Sequence, residues 1–391
     1  MSTDAAPTTS LRNWLSVIIV GVSVFTVTTT EMTPMGVLPA IAHDLHVSEG
    51  QAGLSVTLYG VLAGLLAPIA TVITGRIARR TLLLTILATF TAGNALSALA
   101  HNYLVFMASR FISGLIHGLM WAIVASIAIR LVADKDGVRA TAAVFSGISL
   151  ALVLGVPLTS FIGSIWGWRT AFALLAALSA LSFILVRALL PALPSRGMFT
   201  FADLRSLTHS RELRNILLLT GTAVIGNYAA YTYIAPYLEH RNITPGAVGL
   251  YLLGYGIAGV LGNFLSGALL SRSLSTRTLL ISLTAAMTAA LTLVGFSRSE
   301  PLLFTLIAAW GLVYSAIPVA LQTLILRTGQ PRLGEAKTSL YVLVFNCSIA
   351  AGALAGAVGI DAGGPLLPIA LSVAFSAAAT TIAATSRGLA H

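Results

Sequence analysis

Charge is what this 391-residue chain has least of: Asp, Glu, Lys and Arg make up 9% of it, against 57% hydrophobic residues. An ordinary soluble domain has about a quarter of its residues charged, so lipid is the expected solvent. Cysteine is nearly absent too. The single Cys347 falls inside an apolar run, which excludes an intrachain disulfide framework and leaves packing as its expected role. The sequence also lacks a His-Glu-x-x-His run and any nucleophile placed beside an activating base. Intramembrane hydrolysis, a metal centre and a cofactor are therefore not expected, and no attached domain suggests a sensor.

What the chain does have is apolar length. An apolar helix crosses a hydrocarbon core with about 20 residues, so twelve crossings and short loops use up nearly the whole chain. The runs fall near 13–38, 51–74, 81–100, 103–131, 140–164 and 169–190, and after a polar interruption near 214–238, 247–270, 277–297, 302–326, 336–360 and 364–386. This predicts an all-α membrane protein: a six-helix bundle over 1–192, a cytoplasmic linker over 193–213 and a second six-helix bundle over 214–391. Ala40-Ile41-Ala42 resembles a signal-peptide cleavage site, but the run before it is about 25 residues long and contains Glu31, so it reads as a retained span.

The net charge of +10 does not point to nucleic acid, because the basic residues punctuate apolar runs instead of gathering on one face. They set topology. With the N-terminus inside, 18 of the 22 Lys and Arg fall on cytoplasmic segments, with Arg169, Arg241 and Arg298 outside and Arg110 within a span. Both termini are then cytoplasmic, in a multi-pass protein of a bacterial inner membrane. In the linker, Thr200-Phe201-Ala202-Asp203 is a variant capping box followed by Leu204, Arg205, Leu207 and Arg211. Either a short interfacial helix touching anionic lipid or an irregular tether fits it.

Three local patterns add a resemblance. Thr30-Glu31-Met32-Thr33-Pro34-Met35-Gly36-Val37-Leu38-Pro39-Ala40-Ile41-Ala42 resembles the T-E-x-x-P-x-G-L-L-x-x-I-A signature of sugar, arabinose and nucleoside exporters. Gly147-Ile148-Ser149-Leu150-Ala151-Leu152-Val153-Leu154-Gly155-Val156-Pro157-Leu158 is similar to the antiporter motif G-x-x-L-A-x-x-x-G-x-P-L, and Trp166-Gly167-Trp168-Arg169 follows it as in those relatives. The six-plus-six pattern and these motifs resemble the major facilitator superfamily, in its twelve-span drug:proton antiporter branch. The resemblance implies a monomeric, proton-driven exporter working by alternating access, with an uncoupled facilitator of the same cargo as the alternative. The implied cargo is a sugar, a nucleoside or an amphenicol-type drug.

The same resemblance carries a departure. The signature G-x-L-A-D-R-x-G-R-R aligns onto Thr71 to Arg80, with Gly75 where relatives have an acidic residue. The equivalent turn after the eighth run has Ser271 there. A carboxylate latch is thus not carried over, although Arg76, Arg79 and Arg80 remain to pair with helix termini or lipid head groups. Gly147, Gly155 and Pro157 are expected to serve conformational change: glycines admit a neighbouring helix, and Pro157 interrupts the hydrogen-bond ladder where the bundles would rock. The eighth run offers matching small residues at Gly256, Gly259, Gly262, Ser266 and Gly267.

Ionisable groups in hydrocarbon cost about 2.5–3.5 kcal/mol or more near the centre, so the few present are the first candidates for function. Glu31 in the first run and Arg110 in the fourth both lie roughly 10–12 Å below the outer surface. An ion pair between them is expected, either permanent or alternating with a proton as their separation changes. His117 lies seven residues beyond Arg110 on nearly the same face, available to a proton, to cargo, or to an interhelical hydrogen bond. Trp121, Asn227, Tyr231, Tyr314 and Asn346 are the remaining substrate-site candidates alongside Glu31 and His117. Amides, phenols and rings suit a neutral hydroxylated or heterocyclic ligand, while interhelical bonding is the plainer reading of each alone. An interfacial aromatic belt accounts for at least some of Tyr228, Tyr233 and Tyr237, and Asp44, Glu49, Glu239 and Asp361 are read as solvated groups at outer helix ends.

Overall fold

The computed structural model describes residues 9–194, 210–271, 275–328 and 334–386, and these are helical almost throughout. The first half comprises α1 (Leu11–Gly36), α2 (Leu38–Asp44), α3 (Glu49–Ile73), α4 (Arg79–Ala98), α5 (Tyr103–Arg130), α6 (Gly137–Leu150), α7 (Val156–Trp166) and α8 (Trp168–Leu189). The second comprises α9 (Arg211–Tyr231), α10 (Ile234–His240), α11 (Pro245–Ser271), α12 (Thr276–Phe296), α13 (Glu300–Arg327), α14 (Gly334–Gly363) and α15 (Leu366–Thr385). The proposed linker helix around Thr200–Asp203, the turn at Arg272 and the basic residue Arg332 lie outside the described residues.

Eleven stretches among the described residues are long and apolar enough to cross a membrane, α6 and α7 counting together as one. The twelfth expected crossing is α9 followed by α10. It is less apolar because one end carries Arg211, Glu212 and Arg214 and its middle carries Thr220, Thr222 and Asn227. It can afford that polarity, since α14 and α15 pack against it and bury its last six residues, Gly226–Tyr231. Large apolar side chains such as Leu104, Phe264 and Phe296 instead project from the bundles, as a protein solvated by lipid requires.

Both halves begin with a broken helix. α1 contains Pro34, which has no N–H to give the carbonyl of Thr30, and the chain breaks at Val37 before α2 resumes. α9 ends at Tyr231, and after a turn of two residues α10 starts at Ile234, just ahead of Pro236. Along α1, Thr26, Thr30 and Thr33 each donate to the carbonyl four residues back, at 2.7–2.9 Å, whereas the hydroxyls of Thr28 and Thr29 have no hydrogen-bond partner among the described residues.

Two helix pairs form the seam between the bundles: α3 against α14, and α7 with the turn before it against α11. A side chain at Gly60 would press on Ala350, and one at Gly64 on the sulfur of Cys347, which fixes the packing role of that cysteine. At one end of the seam Asp361 of α14 accepts from Gly50 N–H at 3.1 Å and from the Ser48 hydroxyl at 2.8 Å. Asp361 is therefore not simply a solvated end group; it crosses the seam and sits on the N-terminus of α3. Nearby, Asp44 is held by Arg169 and by Trp168 Nε1 at 3.1 Å.

The antiporter motif takes an unusual local form. Between α6 and α7, residues Ala151–Gly155 make a π-helical turn, with Pro157 just inside α7. A Cβ at Gly147 would meet the backbone of Gly21 and Phe25, and one at Gly155 would meet Thr29. These glycines thus admit α1 of their own bundle. The closeness across the seam comes from α11, whose Gly249 faces the Pro157 carbonyl and whose Gly256 faces Leu152 and Val153. Gly259 and Gly262 pack on α13, the Ser266 hydroxyl donates to Ala316 O at 3.0 Å, and Gly267 faces nothing within 4 Å.

At the other end of the molecule, Arg80 donates to the Arg187 carbonyl at 2.5 Å, at the C-terminus of α8, and Arg79 N–H donates to Leu193 O at 2.8 Å. Arg76 is exposed. Arg80 therefore pairs with a helix terminus of its own bundle, as one of the two expected roles had it.

Candidate functional site

A cavity of about 290 Å³ lies between the bundles. All seven substrate-site candidates line it: Glu31, His117 and Trp121 from the first bundle, and Asn227, Tyr231, Tyr314 and Asn346 from the second. Arg110 does not; it lies one layer behind.

In this conformation the expected ion pair is not made. Glu31 and Arg110 are at one depth, but the guanidinium donates to backbone oxygens, to Thr30 O at 3.0 Å and Glu31 O at 3.1 Å. It also lies over the Tyr59 ring, 4.4 Å from its centroid. The reason is local: Pro34 leaves the Thr30 carbonyl without its usual helical donor, and in a dry bundle an unmet carbonyl is costly. Asn94 of α4 braces the same residue, donating to the Thr30 hydroxyl at 3.0 Å.

The Glu31 carboxyl faces His117 instead. Oε2 lies 3.5 Å from Nε2, and Oε1 has no hydrogen-bond partner among the described residues. Both side chains are buried, at 5% and 1% exposure. His117 has two further partners: Trp121 Nε1 donates to Nε2 at 2.8 Å, and Tyr59 Oη lies 2.7 Å from Nδ1. An indole nitrogen only donates, so Nε2 is an acceptor here, and in the neutral ring Nδ1–H donates to Tyr59. The imidazole is thus fixed on three sides, by α1, α3 and its own α5. One turn from Glu31, the Thr28 hydroxyl also lines the cavity and lacks a hydrogen-bond partner among the described residues. Two bare polar atoms on one wall of a cavity are what a ligand with hydroxyl groups would satisfy.

The opposite wall is aromatic. Tyr228 and Tyr314 meet edge-to-face at 6.1 Å, Tyr231 and Tyr255 lie 4.7 Å apart, and Trp310 closes the cluster behind Tyr255 at 5.2 Å. Tyr255 Oη donates to Asn227 Oδ1 at 3.1 Å, leaving the amide N–H groups for another acceptor. Asn346 Nδ2 donates to Val342 O on its own helix at 2.9 Å, leaving its oxygen.

The aromatic-belt reading fails for all three tyrosines it named. Tyr228 lines the cavity, while Tyr233 and Tyr237 are fully buried and donate to Ala353 O at 2.9 Å and Val294 O at 2.7 Å. Sequence reasoning also passed over Tyr255, Tyr341, Asn263 and Gln322, all of which line the cavity. Gln322 had a usable signal, lying seven residues and so two turns from Ser315 on one face of α13.

The comparisons with known proteins agree with this architecture. The family model of the Major Facilitator Superfamily matches residues 20–327 and 216–388. A probable sugar efflux transporter from Mannheimia succiniciproducens is 31% identical over 344 residues, covering 88% of this chain and 86% of that protein. Among solved structures, a bacterial homologue of the human lysosomal transporter Spinster, captured inward-facing and unoccupied, superposes with a TM-score of 0.74 at 15% identity, over 95% of this chain and 96% of that one. The human organic anion transporter MFSD10 (TETRAN) superposes with a TM-score of 0.67 at 17% identity, over 95% and 99%.

Proposed function

The chain belongs to the Major Facilitator Superfamily, a family of membrane transporters, and we propose that it is a proton-coupled exporter of small, mostly neutral organic molecules. The observation that carries this reading is the Glu31 carboxyl: it opens onto the cavity between the bundles, with one oxygen beside His117 and the other bare. A carboxyl so placed can hold a proton in one conformation and a cargo hydroxyl in another, so the two compete and exchange. Hydroxylated cargo suits the amides and phenols of Asn227, Tyr231, Tyr314 and Asn346, and the name of the Mannheimia relative favours a sugar. One acid against one imidazole gives little to attract a strongly cationic dye.

In this reading the bundles, residues 1–192 and 214–391, rock about the cavity as a monomer in a bacterial inner membrane, joined through 193–213. Both termini face the cytoplasm, which puts the Asp361 end outside. Gly155, Pro157 and the π-helical turn give α7 room to bend, and Arg76, Arg79 and Arg80 face lipid head groups or helix ends within.

The test is proton flux in proteoliposomes carrying an internal pH dye, challenged with sugars, nucleosides and amphenicols under an imposed gradient. Cargo-dependent proton movement, lost in Glu31→Gln along with uphill export, is the expected result. Cargo movement without protons, or a wild-type accumulation ratio in Glu31→Gln, would leave an uncoupled facilitator.

A further inference from the structure

We propose that Trp121 links cargo to the proton site, because its indole N–H and the Glu31 carboxyl compete for one atom, Nε2 of His117. The inference rests on the proton-coupled reading above and adds the residue that does the linking. Nε2 accepts from Trp121 at 2.8 Å and lies 3.5 Å from Glu31 Oε2. An imidazole nitrogen has a single in-plane site, either a lone pair that accepts or an N–H that donates. While Trp121 donates, Nε2 keeps its lone pair and the imidazole its single proton on Nδ1, so of the two groups only Glu31 can carry the proton being transported. When the indole leaves, the proton can cross: the O–H bond at Oε2 breaks, an N–H bond forms at Nε2, and carboxylate and imidazolium face each other with no change in net charge. The converse holds as well, since a proton on Nε2 removes the acceptor and expels the indole.

Trp121 is the member of this cluster that is free to move. His117 is 1% exposed, held at Nδ1 by Tyr59, and packed against the Phe90 ring at 6.5 Å. Trp121 is only partly buried and lines the cavity beside Phe145, 6.4 Å away. A hydroxylated cargo brings acceptor oxygens into that same space and so competes with His117 for the indole N–H. The ionisable groups around the imidazole are Glu31 from α1, Tyr59 from α3 and Arg110 on α5 itself, while α4 contributes only the apolar Phe90. Arg110 is committed to the Thr30 and Glu31 carbonyls. The exchange therefore runs between Glu31, His117 and Trp121.

The test uses the full chain labelled with 5-fluorotryptophan. Its five tryptophans give five fluorine resonances, and that of Trp121 is identified by its loss in Trp121→Phe, where the other four report an intact fold. The Trp121 resonance is expected to move as pH is lowered and protons enter the Glu31–His117 pair, and to stop moving in His117→Gln. In proteoliposomes without any cargo, Trp121→Phe should leak protons faster than wild type by several-fold to about tenfold, the equivalent of one hydrogen bond. A Trp121 resonance silent to pH, a pH response that survives His117→Gln, or a cargo-free leak equal to wild type overturns the inference. If Glu31→Gln has meanwhile lost uphill export, the proton-coupled reading stands and only the role of Trp121 falls; if Glu31→Gln still exports uphill, the reading itself fails.

Discussion

Arg110 donates to the carbonyl of Thr30 at 3.0 Å, the acceptor left open because Pro34 has no N–H. A cation on one helix thus repairs a break in another, and the Thr-Glu-x-x-Pro signature gains a physical reason. The break exposes a carbonyl one residue before the carboxyl that lines the cavity, and the repair fixes that carboxyl's backbone through a second bond to Glu31 O at 3.1 Å.

The two roles can be separated by a double-mutant cycle. Arg110→Leu alone is expected to destabilise the folded protein by about 1–3 kcal/mol, because a buried carbonyl loses its donor. Pro34→Ala supplies that donor from the backbone, so in its background the cost of Arg110→Leu should shrink by about 1 kcal/mol. Thermal unfolding of the four proteins in one detergent measures this, and strictly additive losses would falsify the repair.

Asp361 gives a second test. Its bonds to Gly50 N–H and Ser48 are made across the seam, so Asp361→Ala should weaken closure at that end without touching the cavity. For an exposed group at a helix N-terminus the effect is about 1 kcal/mol, or roughly fivefold in the population open at that end. Spin labels at exposed His43 and His240 would report it as a growing long-distance component, and an unchanged distance distribution counts against the latch.

Two glycines of α11 make a paired prediction. A Cβ at Gly256 would run into the Leu152 carbonyl across the seam, whereas one at Gly267 meets nothing within 4 Å. Gly256→Ala should slow transport and lower thermal stability, and Gly267→Ala should leave transport unchanged and raise stability by up to about 1 kcal/mol through helix propensity. Equal effects in parallel transport and unfolding assays would contradict the packing described.

The pH dependence of stability follows from Asp44 at the end of α2. Burial raises its carboxyl, but hydrogen bonds from Arg169 and Trp168 and the charge of Arg169 outweigh that and hold it below its ordinary value. A group depressed on folding contributes stability that is complete above its unfolded value of about 4 and is lost as pH falls through the lower, folded value. The melting temperature of wild type should therefore drop below about pH 4, and Asp44→Asn should flatten that drop. A wild type and variant that fall in parallel would place the acid sensitivity elsewhere.

Much of the fold was legible in the sequence, because lipid imposes length. Most of the twelve apolar runs coincide with helices to within three residues, the exceptions being the first and seventh, which break near Val37 and Tyr233, and the fifth, which the π-helical turn at Ala151–Gly155 divides. The seven cavity candidates also followed from the sequence, six as polar or ionisable groups within the spans, which are too costly in hydrocarbon to leave without purpose, and Trp121 as a ring available for stacking.

The sequence by itself determined where the long apolar runs lie, about how long they are, and which rare ionisable and polar residues they carry into the membrane. Only the tertiary structure decided which of those residues meet: Arg110 with the carbonyls beside Pro34, Glu31 with His117, Tyr228 with the cavity, and Asp361 with the far end of α3. The reason is that hydropathy fixes a helix's depth but only weakly its rotation when nearly every face is apolar, and partners drawn from different helices are chosen by rotation, tilt and close packing.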